Sequence, residues 1–302
     1  MVGSALLRRL ESESCEVVTA SRDELDLRDR QATREWVEKI RPDAVFCAAA
    51  KVGGIEANDT APADFLRENL EVQLSVIDAS HQAGVDKLLF LGSSCIYPRQ
   101  APQPIPETAL MTGPLEPTNQ WYAIAKISGI MQCQAYRRQY GSNFISAMPT
   151  NLYGPGDNYH PTNSHVVAAL IRKAHEAKVA GKSKLEIWGS GTPRREFLYA
   201  DDCADALVFL MKHYNQEPPV NVGTGTDMTI TELAEKVAAT IGFEGRFVYN
   251  VEKPDGMPRK LLDVSRITAL GWRPRTAMED GLATAYRDFC AREVAPMEAH
   301  GA

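Results

Sequence analysis

Tyr122 and Lys126 have the residue types and the spacing that acid–base chemistry requires. A separation of four residues puts both side chains on one face of a helix, one turn apart. A phenol with a pKa of about 10 is a poor acid–base catalyst at neutral pH, and a neighbouring ammonium lowers that pKa by favouring the phenolate. The spacing therefore predicts a tyrosine activated by a lysine. On spacing alone, an amphipathic helix with a half-buried Tyr and a solvated Lys is an equally open interpretation.

Ser93 precedes this helix at a place where α/β proteins bind ligands. Residues 87–92 form an apolar run typical of a buried parallel strand, and Ser93 follows that run directly. The carboxyl end of such a strand is where open α/β sheets bind ligands. The order of strand, serine, Pro-rich loop and Tyr–Lys helix favours the catalytic interpretation.

The elements that must position these residues alternate between strands and helices. Along the first half of the chain, the predicted strands cover 15–20, 44–50, 87–92 and 143–150, and the predicted helices cover 1–10, 29–40 and 61–83 and the segment around Tyr122. This alternation is typical of βαβ units and a parallel sheet. We therefore expect an α/β fold, a Rossmann-like doubly wound parallel sheet with a smaller C-terminal α/β substrate domain.

The alternation loosens after residue 150, which suggests the domain boundary. Helices are predicted near 165–180, 203–212, 231–241 and 277–291, with strands near 185–188, 220–222 and 246–250. We expect a nucleotide-binding domain over residues 1–160 and a mainly substrate-binding domain over residues 161–302. Some later segments are expected to return to the first domain.

The beginning of the sequence differs from a complete dinucleotide-binding unit, which starts with a strand and a Gly-rich turn. Here a helix runs from the first residues, and Gly3 corresponds to the last glycine of such a turn. We expect the first strand and the earlier glycines about a dozen residues upstream. Since that strand is central in the doubly wound order, we also expect a gap in the sheet lined by unpaired backbone groups.

Composition limits the class of protein. Of the 302 residues, 44% are hydrophobic and 24% are charged, as in ordinary globular proteins, and the net charge of −6 argues against nucleic acid as a partner. The six cysteines are scattered without C-x-x-C spacing, which predicts free thiols, a cytoplasmic location and no metal site. The sequence contains no run of 18 apolar residues, so it predicts no membrane span.

Six sequence blocks resemble the GDP-L-fucose synthase family, in the extended branch of the short-chain dehydrogenase/reductase superfamily. The blocks are AAAKVGGI at 48–55, GSSCIYP at 92–98, MPTNLYGP at 148–155, PTNSHV at 161–166, WGSGTP at 188–193 and KPDGMPRK at 253–260. They extend over almost the whole chain. The resemblance implies conversion of GDP-4-keto-6-deoxy-D-mannose to GDP-L-fucose, by epimerisation at C3 and C5 and then NADPH-dependent reduction of the C4 ketone.

The resemblance implies five catalytic residues. Cys95 and His165, which can both exchange protons near neutral pH, would be the epimerisation pair. Ser93 and Tyr122 would hydrogen-bond the C4 oxygen, and Tyr122 would donate the proton during reduction. Lys126 would lower the pKa of Tyr122 and hold the nicotinamide ribose. Without the family, Cys95 would be interpreted as a buried thiol at a strand end and His165 as a residue at a helix N-terminus.

Arg22 is the one direct clue to the cofactor. It follows the predicted second strand, where an acidic residue would bind the ribose of NAD, and a guanidinium there suits the 2′-phosphate of NADP. Asp23 and Glu24 leave NADH open on residues alone, and the resemblance favours NADPH. The cofactor-binding set that it implies is Met1, Val2, Gly3, Arg22, Asp23, Glu24, Leu25, Asp26, Leu27, Leu91, Gly92, Ser93, Ser94, Lys126, Pro149, Thr150, Asn151, Leu152 and His165.

For the GDP end, the resemblance implies Lys173, Trp188, Arg195 and Asp255. An indole offers a stacking face, and a guanidinium pairs with diphosphate oxygens. Arg172 and Arg194 adjoin two of these residues, so the sequence leaves open which member of each pair reaches the ligand. The resemblance also implies a homodimer, through a four-helix interface of the 61–83 helix and the Tyr122 helix.

Three alternatives stay open at this point. Another NAD(P)-dependent nucleotide-sugar epimerase, reductase or dehydratase is one, although a dehydratase would carry an acidic pair where this chain has Ser94 and Cys95. A 4-epimerase would need no proton-exchanging Cys and His. A non-catalytic binding module and an inactive truncated form of the enzyme are the other two.

Overall fold

The computed structural model describes residues 1–161, 163–253 and 255–294. Thr162 and Pro254 of the family-like blocks, and residues 295–302 of the predicted C-terminal domain, lie outside the described residues. The α-helices are α1 (Val2–Leu10), α2 (Arg30–Ile40), α3 (Ile55–Thr60), α4 (Pro62–Gln82), α5 (Gln120–Tyr140), α6 (Val166–Val179), α7 (Ala200–His213), α8 (Ile230–Ile241), α9 (Ser265–Ala269) and α10 (Met278–Phe289). The strands are β1 (Ala44–Cys47), β2 (Lys87–Leu91), β3 (Asn143–Pro149), β4 (Asn151–Tyr153), β5 (Lys184–Trp188), β6 (Arg194–Arg195), β7 (Phe197–Tyr199), β8 (Val220–Val222), β9 (Met228–Thr229), β10 (Arg246–Asn250) and β11 (Arg259–Lys260).

The main sheet is parallel and has the strand order β1-β2-β3-β8. Every residue of β2 is buried, as expected for a strand covered by helices on both faces. Its Leu88 and Phe90 pack into the core formed with α4 and α5, and its Leu89 and Leu91 pack into the core formed with α1 and α7. The predicted Rossmann-like α/β fold with a parallel sheet is confirmed.

One expectation about this sheet is wrong: residues 15–20 form no strand, and Val17 and Val18 are exposed. β1 is an edge strand, since it pairs with β2 in the register Ala44↔Lys87 to Cys47↔Phe90 and, within the described ranges, with no other strand. A segment without a partner strand cannot satisfy its backbone N–H and C=O groups in a ladder, which is why 15–20 is not a strand. The expected gap in the sheet stays a prediction.

A second core is built mainly from residues after 150. There β5 pairs in parallel with β10, and α6, α8 and α10 pack together around buried residues such as Leu170, Leu233 and Leu282. Two small sheets, β4–β7 and β11-β6-β9, join this core to the main sheet. Since β8 pairs with β3, one late segment returns to the main sheet.

In the part of the chain that the structure describes, no helix combines the length and the apolar composition needed to cross a membrane. Within the same ranges, no three His, Cys, Asp or Glu side chains come together as a metal site. All six cysteines are free thiols.

Candidate active site

The carboxyl end of β2 presents Ser93 and Cys95. Ser93 has an extended backbone and begins the 3₁₀ turn Ser94–Ile96, and its Oγ accepts the Cys95 N–H at 3.3 Å. Gly92 donates its N–H to the Ala147 carbonyl at 2.8 Å, and that oxygen would lie only 3.2 Å from a Cβ on Gly92. The strand end is therefore held close to β3, which places the Ser93 hydroxyl and the Cys95 thiol at the edge of the sheet, with Ser94 buried behind them.

Tyr122 and Lys126 reach the same edge from the first two turns of α5. The buried Lys126 ammonium donates to the Leu91 carbonyl at 2.9 Å and lies 4.8 Å from the centre of the Phe90 ring. Its Nζ is 5.9 Å from the centre of the Tyr122 ring. Leu91 thus connects the lysine to the end of β2, and Ser93, Tyr122 and Lys126 form one cluster.

The pKa of Tyr122 is raised above its usual value in this structure, and its expected activation by Lys126 stays a prediction. Burial raises the pKa of Tyr122, the negative charge of Cys95 adds to that rise, and the Ser93 hydroxyl opposes it. Burial also lowers the pKa of Lys126 to about 8, with the Cys47 thiol acting in the other direction. Since the ammonium is directed at Leu91 rather than at the phenol oxygen, desolvation decides the protonation of Tyr122.

Cys95 has a cationic neighbour that the sequence did not point to. The Lys260 ammonium, from β11, lies 3.4 Å from the Cys95 sulfur. Burial by itself would raise the pKa of Cys95, but the charge of Lys260, hydrogen bonds from Ser93 and Lys260, and the charge of Arg195 together lower it. A thiol in such surroundings has the thiolate character that proton transfer requires.

His165 lies at the N-terminus of α6, where its carbonyl accepts the Ala169 N–H. Its side chain is exposed, and its charge acts on the buried carboxyl of Asp157. Within the described ranges, His165 makes no hydrogen bond with Cys95. The structure therefore places the two residues of the expected epimerisation pair on different elements without joining them.

The predicted cofactor residues after residue 21 have different surroundings. Glu24 accepts the Ser21 N–H at 2.8 Å, and hydrogen bonds from Arg28 lower the pKa of Asp26 to about 2. In the part of the chain described here, no carboxylate lies within ion-pair distance of the exposed Arg22. Of their neighbours, Asp23 is exposed, Leu25 is buried and Leu27 packs against the core. Glu24 and Asp26 are thus engaged locally, while Arg22 is left accessible to an anion.

The remaining predicted cofactor residues lie at α1 and at the end of β3. Met1 caps α1, Val2 and Gly3 form its first turn, and a Cβ on Gly3 would meet open space. Pro149 is the last residue of β3, and Leu152 packs against the core beside α7. Thr150 and Asn151 donate side-chain hydrogen bonds to the Glu196 carbonyl at 3.3 and 2.8 Å, respectively.

Lys173 and Trp188 meet at one end of the second core. The Lys173 ammonium lies 4.5 Å from the centre of the Trp188 ring, and the Lys253 ammonium lies 4.8 Å from it. Burial lowers the pKa of Lys173, Glu186 opposes that effect and Lys253 adds to it. Two ammonium groups that converge on one indole form a site suited to an anionic ligand with an aromatic ring.

Arg195 and Asp255 lie between this end and the Cys95 cluster. Arg195 is half-buried and donates to the Arg194 and Asp255 carbonyls at 2.8 and 3.4 Å, and its charge acts on Cys95. Burial lowers the pKa of Arg195, and Asp255 acts against that lowering. The Asp255 carboxylate itself accepts the Ser190 N–H and hydroxyl at 2.7 and 2.8 Å, so it also holds the 189–192 turn.

The neighbours of the two cationic site residues are engaged elsewhere. Arg194 pairs with Asp227 at 2.9 Å, and Arg172 pairs with Glu293 at 2.8 Å. In the described ranges, neither Lys173 nor Arg195 forms an ion pair with a carboxylate, unlike these neighbours.

Three residues with a place in the site had no assigned role in the sequence interpretation: Lys253, Lys260 and Glu196. Lys260 is the last residue of the family-like block at 253–260 and is followed by apolar Leu261. It contacts a cysteine that is 165 residues away in the chain. Glu196 is fully buried between β6 and β7. The signal for it in the sequence was a carboxylate directly before the apolar residues 197–200. No periodicity connects Lys253 with Trp188, which is on another element.

Comparisons with known proteins agree with this geometry. Residues 1–223 match the NAD dependent epimerase/dehydratase family. The chain is 60% identical over 289 residues to a GDP-L-fucose synthase of Sinorhizobium fredii, with 96% of this chain and 92% of that protein covered. It is 52% identical over 299 residues to a GDP-L-fucose synthase of Escherichia coli K12, with 96% and 93% covered.

A solved structure shows the same architecture. The GDP-L-fucose synthetase of Naegleria fowleri bound to NADP superposes with a TM-score of 0.88 at 27% identity, covering 96% of this chain and 91% of that one. Similarity to these proteins extends over both cores and includes the whole candidate site. The chain therefore belongs to the NAD dependent epimerase/dehydratase family and, within it, to the GDP-L-fucose synthases.

Proposed function

We propose that the chain converts GDP-4-keto-6-deoxy-D-mannose to GDP-L-fucose, by epimerisation at C3 and C5 followed by NADPH-dependent reduction of the C4 ketone. The observation that carries the proposal is the position of the Cys95 thiol in the same cluster as Ser93, Tyr122 and Lys126. Reduction of the ketone uses Ser93, Tyr122 and Lys126, and the Cys95 thiol adds a group that can exchange protons at a carbon next to the ketone.

In the epimerisation stage, Cys95 and His165 exchange the protons at the carbons next to the C4 ketone. Removal of such a proton puts negative charge on the C4 oxygen, and the hydroxyls of Ser93 and Tyr122 stabilise that charge by hydrogen bonds. The raised pKa of Tyr122 supports this role, because a protonated phenol donates a hydrogen bond throughout the stage.

In the reduction stage, NADPH, when held by this site, would supply hydride to C4. Tyr122 transfers its proton to the C4 oxygen as that hydride arrives, and the charge of Lys126 then stabilises the phenolate. The cofactor site that we propose uses Arg22 for the 2′-phosphate, the N-terminus of α1 for the pyrophosphate, and residues 149–152 for the nicotinamide. The accessible guanidinium of Arg22 supports NADPH over NADH.

For the GDP end, we assign stacking to Trp188 and pairing with the diphosphate to Lys173 and Arg195. The Arg195 guanidinium supports this assignment, because its charge reaches Cys95 and its side chain lies beside Asp255. A ligand that extends from Trp188 to Cys95 would thus have cations along its length.

The proposal includes three features of the whole protein. The NADP-binding domain covers residues 1–160, and residues 161–302 mainly form the GDP-sugar domain. The chain forms a homodimer through α4 and α5, supported by exposed apolar side chains on both helices. We also propose a cytoplasmic location, which the six free thiols support.

The test is NADPH oxidation in the presence of GDP-4-keto-6-deoxy-D-mannose, with the sugar product identified by NMR. We expect GDP-L-fucose, with deuterium at C3 and C5 when the solvent is D₂O. Tyr122→Phe should abolish reduction, and Cys95→Ser should abolish deuterium incorporation while GDP binding is retained. A product reduced at C4 without inversion at C3 and C5 would indicate a simple 4-ketoreductase, and no oxidation of NADPH would favour a binding module.

A further inference from the structure

A turn between β1 and α3, formed by Gly53 and Gly54 and named here the di-glycine turn, contacts the segment before His165. The Gly54 N–H donates a hydrogen bond to the Asn163 carbonyl at 3.4 Å. A Cβ on Gly54 would lie 3.0 Å from the Ser164 carbonyl oxygen. Because that neighbour is backbone, it has no rotamer into which it could withdraw.

The other glycine of the turn contacts the side of the site that holds Tyr122. A Cβ on Gly53 would lie 2.9 Å from the Ala57 Cβ and 3.1 Å from the Phe65 ring. The Phe65 ring packs edge-on against the Tyr122 ring with 6.4 Å between centroids. The di-glycine turn therefore lies between the support of Tyr122 and the segment that carries His165.

A buried amide fixes the shape of this turn. Asn58 is 5% exposed, and its Nδ2 donates to the Gly53 and Gly54 carbonyls at 2.9 Å each. Its backbone N–H donates to the Gly54 carbonyl at 3.1 Å. With both carbonyls held by one buried side chain, the turn is a rigid spacer rather than a loose loop.

We propose that the di-glycine turn is a positioning element that sets the distance between His165 and Tyr122. The inference rests on the proposed function, in which both residues touch the sugar ring, and it deepens that function by naming what holds them apart. Asn58 and Gly54 act through the His165 segment and do not themselves contact substrate. Catalytic rates respond strongly to displacements of about 1 Å in such groups.

The test compares Gly54→Ala with Gly53→Ala and with Val52→Ala, which alters an exposed side chain of the same loop. Solvent deuterium incorporation at C3 and C5 is followed by NMR with NADP⁺ present, so that no reduction occurs. We expect Gly54→Ala to slow incorporation at least tenfold, to about a hundredfold. Gly53→Ala should also slow it, since its new methyl group meets the Ala57 Cβ and the Phe65 ring beside Tyr122, and Val52→Ala should match the wild type.

Separate measurements distinguish positioning from a general loss of structure. The KM for the GDP-sugar, the dissociation constant for NADPH and the midpoint of thermal unfolding should stay at wild-type values in Gly54→Ala, so that the loss is in kcat. Asn58→Ser, which shortens the amide without adding a clash, should lower kcat in the same way.

The outcomes separate the two proposals. Wild-type exchange with equal exchange by Gly54→Ala would overturn the positioning role and leave the proposed function intact. A rise in KM with unchanged kcat in Gly54→Ala would also overturn it. Absence of exchange in the wild type would overturn the proposed function, and with it this role.

Discussion

At the scale of single residues, the site depends on charges that are buried beside each other. The Lys260 ammonium and the Cys95 sulfur are 3.4 Å apart, and Lys260 is 8% exposed. In surroundings of low dielectric, an ammonium at this distance stabilises a thiolate far more than it would in water. The pair therefore explains how a half-buried thiol obtains a lowered pKa.

Replacement of Lys260 by methionine should raise the pKa of the Cys95 thiol. Loss of the positive charge leaves burial to act on the thiol, and we expect its pKa to rise. The measurement is the pH midpoint of Cys95 alkylation by iodoacetamide, resolved from the other cysteines by peptide mass spectrometry. Lys260→Arg, which keeps the charge, should retain most of the lowering. An unchanged midpoint in Lys260→Met would show that Lys260 does not stabilise the thiolate.

At Lys126 burial dominates: it disfavours the charged ammonium and so lowers the pKa of the side chain. Its pKa falls from 10.5 to about 8 on folding. Because the folded pKa is the lower one, the unfolded chain binds more protons between about pH 8 and about pH 10.5, and the free energy of unfolding rises with pH in that window. Below about pH 8 the protein carries the full cost of the buried ammonium.

We therefore expect Lys126→Met to remove this pH dependence. Between about pH 7 and about pH 10, the free energy of unfolding of the wild type should rise relative to that of the variant by about 2–3 kcal/mol. Urea unfolding at several pH values measures the difference. Lys87, whose pKa burial also lowers to about 8, is present in both proteins and cancels. Parallel stability curves would contradict the buried-ammonium assignment.

At the scale of secondary structure elements, Glu196 joins three segments behind the active site. Its carboxylate accepts the Thr224 and Gly225 N–H groups at 2.6 and 2.8 Å and the Leu262 N–H at 3.0 Å. These donors follow β8 and β11, while Glu196 separates β6 from β7. Burial raises the pKa of Glu196 and the backbone N–H groups lower it, so the three donors decide whether the charge is tolerated.

Glu196→Gln should destabilise the protein by about 2 kcal/mol. One oxygen becomes an NH₂ group, so at least one buried backbone N–H loses its acceptor. Urea unfolding at neutral pH gives the change, and Glu235→Gln, on the exposed face of α8, is the matched control. Because Glu196 supports β11, we also expect weaker lowering of the Cys95 pKa in this variant. Equal stability of the two variants would show that the three N–H groups find other acceptors.

At the scale of the whole molecule, the main unexplained surface lies on α4 and α5. Leu74, Trp121, Ile124 and Met131 are each at least 38% exposed. Large apolar side chains grouped on a helix pair are typical of a protein–protein interface. The face lies on the helix that carries Tyr122 and Lys126, so a second copy bound there would brace α5.

Met131→Asp should convert the dimer that we propose into a monomer. A carboxylate at the centre of an apolar interface is left without a partner and opposes association. Multi-angle light scattering after size-exclusion chromatography measures the mass, and Val179→Asp, at the exposed C-terminus of α6, is the control. A wild type with the mass of one chain would contradict the dimer.

The main helices and several strands could be predicted from the sequence. Hydrophobic periodicity is a local property, so β2, α4 and β10 follow the predicted segments closely, and a helix contains Tyr122 and Lys126 as expected. The one-turn spacing of Tyr122 and Lys126 is equally local. This spacing puts both residues on one face of α5 whatever the tertiary contacts are.

Only the tertiary structure decided which strands pair, and which charges meet. Residues 15–20 have the composition of a strand, but a strand also requires a partner, and within the described ranges no strand pairs with them. The protonation of Tyr122 follows its burial rather than its distance along the chain from Lys126. Lys260 reaches Cys95 across 165 residues, because β6 pairs with β11 and brings Lys260 to the site. Burial and long-range pairing depend on the whole chain, and no local pattern contains them.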